Sequence, residues 1–161
     1  MAGSRLWAPW RLEYIKGVKP EECIFCAKPR EDSDEAAYIL HRGERAFVIL
    51  NAFPYNNGHL MVAPFAHIGA LEELPAETLA EMMALTQKVL SVLKATYAPE
   101  GFNIGVNQGK VAGAGVEHHI HLHIVPRWGA DTNFMPVLSD TRILPQHLSA
   151  SYEALKRAWN E

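Results

Sequence analysis

The chain has 161 residues and a mass of 18.0 kDa, enough for one domain with a real core and too short for two of ordinary size. Its net charge of -3 at pH 7 and pI near 6.2 give no long-range attraction to nucleic acid, so a polyanionic ligand must be held by local groups. No window approaches the ~18 uninterrupted apolar residues of a membrane span, and Trp7, Pro9 and Trp10 stand among charges where a signal peptide would carry an apolar core, so a cytoplasmic location without membrane contact is expected.

In chain order, residues 1–22 read as an arm whose Trp7, Trp10 and Tyr14 are too aromatic for a solvated tail, and the arm is expected to lie over the core or a partner subunit. Cys23 and Cys26 follow, three positions apart. A disulfide between them would close a tiny loop and constrain the unfolded chain little. Half a zinc site and a redox pair fit the spacing equally well. A redox motif should open a helix after a strand, whereas this pair sits among Lys19, Pro20, Lys28 and Pro29, and that loop context favours metal.

Residues 37–41 and 46–51 read as strands around the turn Arg42-Gly43-Glu44, and the turn residues of 54–58 precede a third strand at 59–63. Leu79, Met82, Met83, Val89, Leu90, Leu93 and Tyr97 recur at helical spacing, with Pro75 in the first turn and Pro99-Glu100-Gly101 at the end. This predicts one long amphipathic helix with both methionines in the core. A strand at 102–107 leads into the glycine-rich loop 109–115, which makes a pocket rim with the strand after it. Pro126 is expected to end that next strand, 129–135 to be loop, and 145–159 to be a terminal helix. Strands, a helix, then more strands argue for a single α+β domain over 1–161 with an antiparallel sheet.

The strand at 119–125 carries the chemistry. His119, His121 and His123 alternate with Ile120, Leu122 and Ile124 at the period of a β-strand, so three imidazoles share one face while aliphatic side chains pack behind. Same-face neighbours on a strand stand about 6.6–7 Å apart, which separates His119 from His123 by roughly 13 Å. Zinc bonds are only about 2 Å long, so one zinc shared by all three is a poor reading. Neutral imidazole is a good nucleophile near pH 7, and a row of them suits transfer of a phosphoryl or nucleotidyl group.

This pattern resembles the signature of the histidine triad (HIT) family, nucleotidyl hydrolases and transferases whose middle histidine becomes nucleotidylated. The resemblance extends to Cys23 and Cys26, to the segment 50–64 with Asn51 and His59, to Asn107-Gln108-Gly109, and to 125–128 and 131–136. It is strongest for the bacterial branch that contains diadenosine tetraphosphate phosphorylases. It implies a HIT-like α+β fold with one long helix and a C-terminal helix, and usually a homodimer whose sheet is continuous across the subunits.

For the residues, the resemblance implies that His121 is the nucleophile and that His119 and His123 complete the catalytic triad. In relatives with paired cysteines a structural zinc is held by the two cysteines, a histidine after the third strand and the first triad histidine. Those positions are Cys23, Cys26, His67 and His119. Asn51 corresponds to an asparagine near the ribose, His59 to a histidine supporting the triad, and Asn107 to a residue contacting phosphate or ribose. Gly109, Lys110 and Gly115 belong to the loop whose amides suit an anion, with Lys110 facing outer phosphates and Arg127 a further candidate.

One departure bears on the substrate. Many HIT phosphoramidases carry Gln followed by Ser or Thr just before the triad, and here those positions are Gly115 and Val116, without polar side chains. The leading expectation is therefore cleavage of dinucleoside polyphosphates with water or inorganic phosphate as acceptor. A nucleoside phosphoramidase is the second reading, and a zinc-stabilised nucleotide-binding module the third.

Overall fold

The computed structural model describes residues 22–129, 131 and 146–161. The expected aromatic arm, all but its last position, lies outside the described residues, as do most of the 129–135 loop and Pro145. Two short helices open the described chain, α1 at Ile24–Ala27 and α2 at Asp34–Ala37. Ser33 caps α2 by accepting the Ala36 amide at 3.2 Å, and Tyr38 leaves it in the left-handed region at φ 58°. Ala37, expected in the first strand, therefore ends a helix.

The strands are β1, Ile39–Arg42, β2, Ala46–Leu50, β3, Leu60–Pro64, β4, Gly101–Val106, and β5, Leu122–Arg127. They form an antiparallel sheet in the order β1-β2-β3-β5-β4. The long helix α3 spans Ala76–Tyr97 between β3 and β4, and α4, Leu148–Asn160, closes the chain. This is the α+β architecture expected from the element order.

Strand alternation divides the core into two clusters. Leu40, Val48, Leu50, Leu60, Val62 and Ile124 meet Met82, Val89 and Leu93 of α3 and Tyr152 and Leu155 of α4. On the opposite face Ile39, Phe47, Ile49, Met61 and Ala63 surround Phe25 of α1. The expectation that both methionines of α3 are core holds for Met82, 2% exposed, and fails for Met83, 53% exposed. Adjacent residues on a helix point about 100° apart, and only one of them can face the sheet.

Pro126 does not end its strand. It lies inside β5, opposite Phe102 of β4. A strand residue points its N–H and C=O the same way, and the Pro126 carbonyl accepts from Asn56 Nδ2 at 3.1 Å rather than from a strand. The β3 ladder stops at Ile124, so the missing proline N–H faces a side where no ladder partner waits.

The turn before β3 is fixed on both sides. Asn56 Nδ2 also donates to Asp131 Oδ2 at 3.0 Å, and Ser151 Oγ of α4 donates to Asn57 Oδ1 at 3.2 Å. Gly58 completes the turn at φ +73°, so close to α3 that an added Cβ would stand 3.0 Å from Tyr97 Cε2. His59 thus enters the sheet from a turn held by three separate elements.

Candidate active site and metal centre

Ahead of β5 the Ile120 amide donates to the Ile68 carbonyl at 2.7 Å, which continues the strand-like alternation without a ladder and brings the segment of His67 beside that of His119. β5 itself begins at Leu122, later than the expected 119–125 strand. The triad consequently divides between two neighbourhoods.

His119 belongs to the cysteines. It is fully buried, and its Nε2 lies 2.8 Å from the Pro64 carbonyl, so that nitrogen carries the proton and Nδ1 presents its lone pair. Nδ1 lies 3.4 Å from Cys23 Sγ, 3.5 Å from Cys26 Sγ and 3.3 Å from His67 Nδ1, and Cys26 Sγ lies 3.3 Å from His67 Nδ1. All four donor atoms fall within 4.8 Å of one another. Tetrahedral zinc, with bonds of about 2.3 Å to sulfur and about 2.0 Å to nitrogen, places ligand atoms roughly 3.3–3.8 Å apart. Two sulfurs and two imidazoles at this spacing fit such an ion, and the Pro64 carbonyl orients His119 from behind. Burial, reinforced by the neighbouring Cys23, pushes the Cys26 thiol up, so ion binding there releases a proton.

The sequence argument for metal needs one correction. Cys23 is not in open loop; it is the N-cap of α1, and Cys26 lies in that helix. Helix context therefore does not separate metal from redox chemistry here, and the convergence of His67 and His119 on both sulfurs does.

His121 and His123 form the second neighbourhood. His121 is 5% exposed, and its Nδ1 donates to the main-chain carbonyl of His119 at 2.8 Å, which leaves the lone pair on Nε2. Burial holds this imidazole below the usual histidine range, partly opposed by that hydrogen bond, so the ring is neutral at pH 7. Its ring centroid is 4.8 Å from that of His123, edge to face, closer than the strand repeat alone suggests.

His59 lies behind His123. The Tyr55 amide donates to His59 Nδ1 at 3.0 Å, so His59 carries its proton on Nε2, 3.0 Å from His123 Nδ1. Burial first, then the nearby His123 and His121, drives His59 down to about 3, and it stays neutral. With Nδ1 of His123 accepting from His59, a proton on the His123 ring belongs on Nε2. Asn51 Nδ2 lies 3.3 Å from His59 Nδ1 while its Oδ1 accepts the Phe53 amide at 2.9 Å.

A cleft of about 200 Å³ opens beside His123, lined by Tyr55, Asn103, Gly105, Asn107 and Val125. Asn107 is thus placed with His123, while His121, like Asn51 and His59, is not among the lining residues. Gly109, Lys110 and Gly115 are not among the lining residues; Gly109 has φ +84° and Lys110 starts an exposed 3-10 turn, Lys110–Ala112. Arg127 is committed elsewhere: its guanidinium makes a bidentate pair with Asp131, at 2.5 and 2.9 Å, and donates to Asn103 Oδ1 at 2.7 Å. His118 pairs with Glu117 at 3.2 Å on the surface.

Sequence reasoning missed Tyr55 and Phe25. Tyr55 sets the His59 tautomer through its amide and packs its ring on His59 and His123, at centroid distances of 4.6 and 5.8 Å. Phe25 is 1% exposed and packs on His119 and His121. An aromatic between the two cysteines was the available signal for Phe25; Tyr55, one aromatic in a turn, gave none.

Residues 33–129 match the family model of the HIT domain. The chain belongs to the HIT family. Among HIT relatives, the AP-4-A phosphorylase of Mycobacterium tuberculosis is 38% identical over 164 residues, covering 97% of this chain and 84% of that protein. An uncharacterized HIT-like protein of Methanocaldococcus jannaschii is 34% identical over 68% of this chain and 81% of its own length. Among solved HIT structures, a Zn-bound histidine triad family protein from Mycobacterium smegmatis superimposes with TM-score 0.70 at 33% identity, covering 86% of this chain and 94% of that one. No helix among the described residues is long and apolar enough to cross a membrane.

Proposed function

We propose that this protein cleaves dinucleoside polyphosphates, diadenosine tetraphosphate first among them, through a covalent adenylyl-His121 intermediate. The observation that carries the reading is the hydrogen bond from His121 Nδ1 to the His119 carbonyl, which leaves the lone pair on Nε2 for attack. The 38% identity to an AP-4-A phosphorylase supports the substrate class.

In the first step Nε2 of His121 attacks the α-phosphorus, a P–N bond forms, and the bond to the bridging oxygen breaks. ATP departs with that oxygen. His123 Nε2–H donates a hydrogen bond to the phosphate oxygens, and His59 behind it keeps that proton on Nε2 by occupying Nδ1. In the second step an oxygen of inorganic phosphate attacks the same phosphorus, the P–N bond breaks, and ADP is released with His121 restored. Asn51 serves the ribose, and Asn107 with the loop from Gly109 through Lys110 to Gly115 serves the phosphates.

Cys23, Cys26, His67 and His119 would hold a zinc ion, whose contribution is structural: a closed shell that ties α1 to the active segment. The whole chain, 1–161, acts as one cytoplasmic domain in a homodimer. The test is to incubate the protein with diadenosine tetraphosphate labelled at the α-phosphate, quench, and look for acid-labile adenylate on the chain. Label on His121 supports the reading; turnover without protein-bound label overturns the covalent route, and neither turnover nor label leaves the nucleotide-binding module.

A further inference from the structure

We propose that Phe25, the aromatic residue between the two cysteines, is a positioning residue for the nucleophilic ring of His121, so that the cysteine segment serves the reaction as well as the metal. The proposal rests on the assignment of His121 as nucleophile.

Among the described residues, three groups hold the His121 ring. The His119 carbonyl takes Nδ1–H at 2.8 Å, His123 meets the ring edge to face at 4.8 Å, and Phe25 lies against it at 4.6 Å between centroids with 34° between planes. These contacts are not equivalent. A single hydrogen bond at one edge of a ring fixes the tautomer but leaves the ring free to tilt about the N–H···O axis. His123 meets the ring only edge to face, so its contact is confined to one margin of the imidazole. Phe25 is the rigid surface: it is 1% exposed and packed into the cluster of Ile39, Phe47, Ile49, Met61 and Ala63. A fixed ring inclined at 34° against the imidazole blocks tilting toward that side.

Phe25 also touches the ring of His119, at 5.3 Å and 45°. The segment Cys23–Cys26 is therefore tied to the active strand twice, through ligand atoms at its ends and through an aromatic ring at its centre. In-line attack needs the Nε2 lone pair aimed at phosphorus, and displacement of a reacting atom by about 1 Å lowers rate by about 10²-fold. The ring contacts of Phe25 are with His119 and His121, whereas ribose and phosphates are assigned above to Asn51, Asn107 and the loop. Loss of the aromatic face should consequently lower kcat and spare KM.

The experiment compares Phe25→Leu with Phe47→Leu, a control in the same cluster that stacks on Phe65 at 5.2 Å. For both, zinc content, Tm, kcat and KM for diadenosine tetraphosphate are measured, with nitrogen-15 NMR of the His121 ring. Phe25→Leu is expected to retain zinc, lower kcat about tenfold or more with KM within about threefold, and show His121 ring nitrogens that keep the Nδ1–H tautomer but are broadened by motion between ring orientations. Phe47→Leu is expected to lose similar Tm and keep kcat within about twofold. Equal kcat losses in the two variants, or an unchanged kcat and His121 spectrum in Phe25→Leu, overturn the proposal. Should Phe25→Leu fail to fold, Phe25→Met, which fills the space with a flexible chain and no flat face, is read by the same criteria. If the wild-type protein turns over no dinucleotide, the proposed function fails, and the His121 spectrum alone still decides whether Phe25 fixes the ring.

Discussion

His59 Nε2 and His123 Nδ1 lie 3.0 Å apart, with the Tyr55 amide at the far side of His59 fixing the proton between them on His59. A second proton on His59 would leave its Nδ1–H facing a backbone donor inside the protein, and this ring is held down to about 3, mainly by burial. The unfolded chain binds that proton near pH 6.5 and the folded chain near pH 3, so more protons are bound unfolded across that window and stability falls as pH drops through it. By pH 5 the loss from this group alone is about 2 kcal/mol relative to pH 7. Urea unfolding between pH 7 and pH 5 should show it, and His59→Gln should flatten the slope while lowering stability at pH 7. An unchanged slope in that variant would place the acid sensitivity elsewhere.

His121→Ala is expected to lower turnover of diadenosine tetraphosphate by about 10³-fold or more, because it removes the attacking atom. Nucleotide binding should remain detectable, since Asn51 and Asn107 are untouched. Equilibrium dialysis with a non-hydrolysable nucleotide and a rate assay on the same preparation separate the two effects.

The site was legible to the extent that side-chain periodicity and spacing report geometry. Alternation at His119, His121 and His123 gave a shared face, and helical spacing gave α3 within a residue or two of Ala76–Tyr97. Periodicity says nothing about which neighbour each imidazole meets. The division of the triad between sulfur ligands and His59 depends on the Ile120–Ile68 hydrogen bond between distant segments, and the family resemblance supplied what spacing could not. Pro126 and Met83 were misread for a related reason. A proline is tolerated or not according to which side its nitrogen faces, and a methionine is buried or not according to a helix rotation of one residue. Arg127 shows the limit for charge: a cation near a phosphate site is available only if no carboxylate claims it, and Asp131 does.

Removal of the metal should lower stability and local order together. Cys23→Ser, Cys26→Ser and His67→Ala each delete one of four converging donors, and structural zinc contributes folding free energy directly. Losses of several kcal/mol are expected, with about one zinc per chain in the unaltered protein and none or little in the variants. Elemental analysis and melting with and without a chelator check this. A Tm indifferent to chelation would mean that the four side chains pack without an ion.

Gly58→Ala should disturb the turn that delivers His59. The position sits at φ +73°, and the new Cβ would approach Tyr97 Cε2 at 3.0 Å and Leu93 Cδ2 at 3.1 Å. Left-handed backbone at a non-glycine residue costs about 1–2 kcal/mol before any clash, so a total loss of about 2–3 kcal/mol is expected. Thermal unfolding reads the stability, and kcat should fall with it because the turn also carries His59 toward His123.

The acceptor and leaving group give the last expectation. Val116 stands where many HIT phosphoramidases carry a hydroxyl, and its apolar side chain packs against the cluster around Phe25, so no donor is available there for an amine leaving group. Polyphosphate leaves without such help because it departs as a stabilised anion. Diadenosine tetraphosphate should therefore be cleaved far faster than adenosine phosphoramidates. Incoming phosphate needs a cation or amides in the loop, and with Arg127 held by Asp131 the exposed Lys110 is the loop cation available among the described residues. Lys110→Ala is expected to raise KM for phosphate about tenfold and KM for the dinucleotide much less. Phosphorolysis yields ADP and ATP, whereas asymmetric hydrolysis yields AMP and ATP, so one chromatogram with and without phosphate distinguishes them. Persistence of AMP at saturating phosphate would make the enzyme a hydrolase, and faster turnover of phosphoramidates would replace both readings with a phosphoramidase.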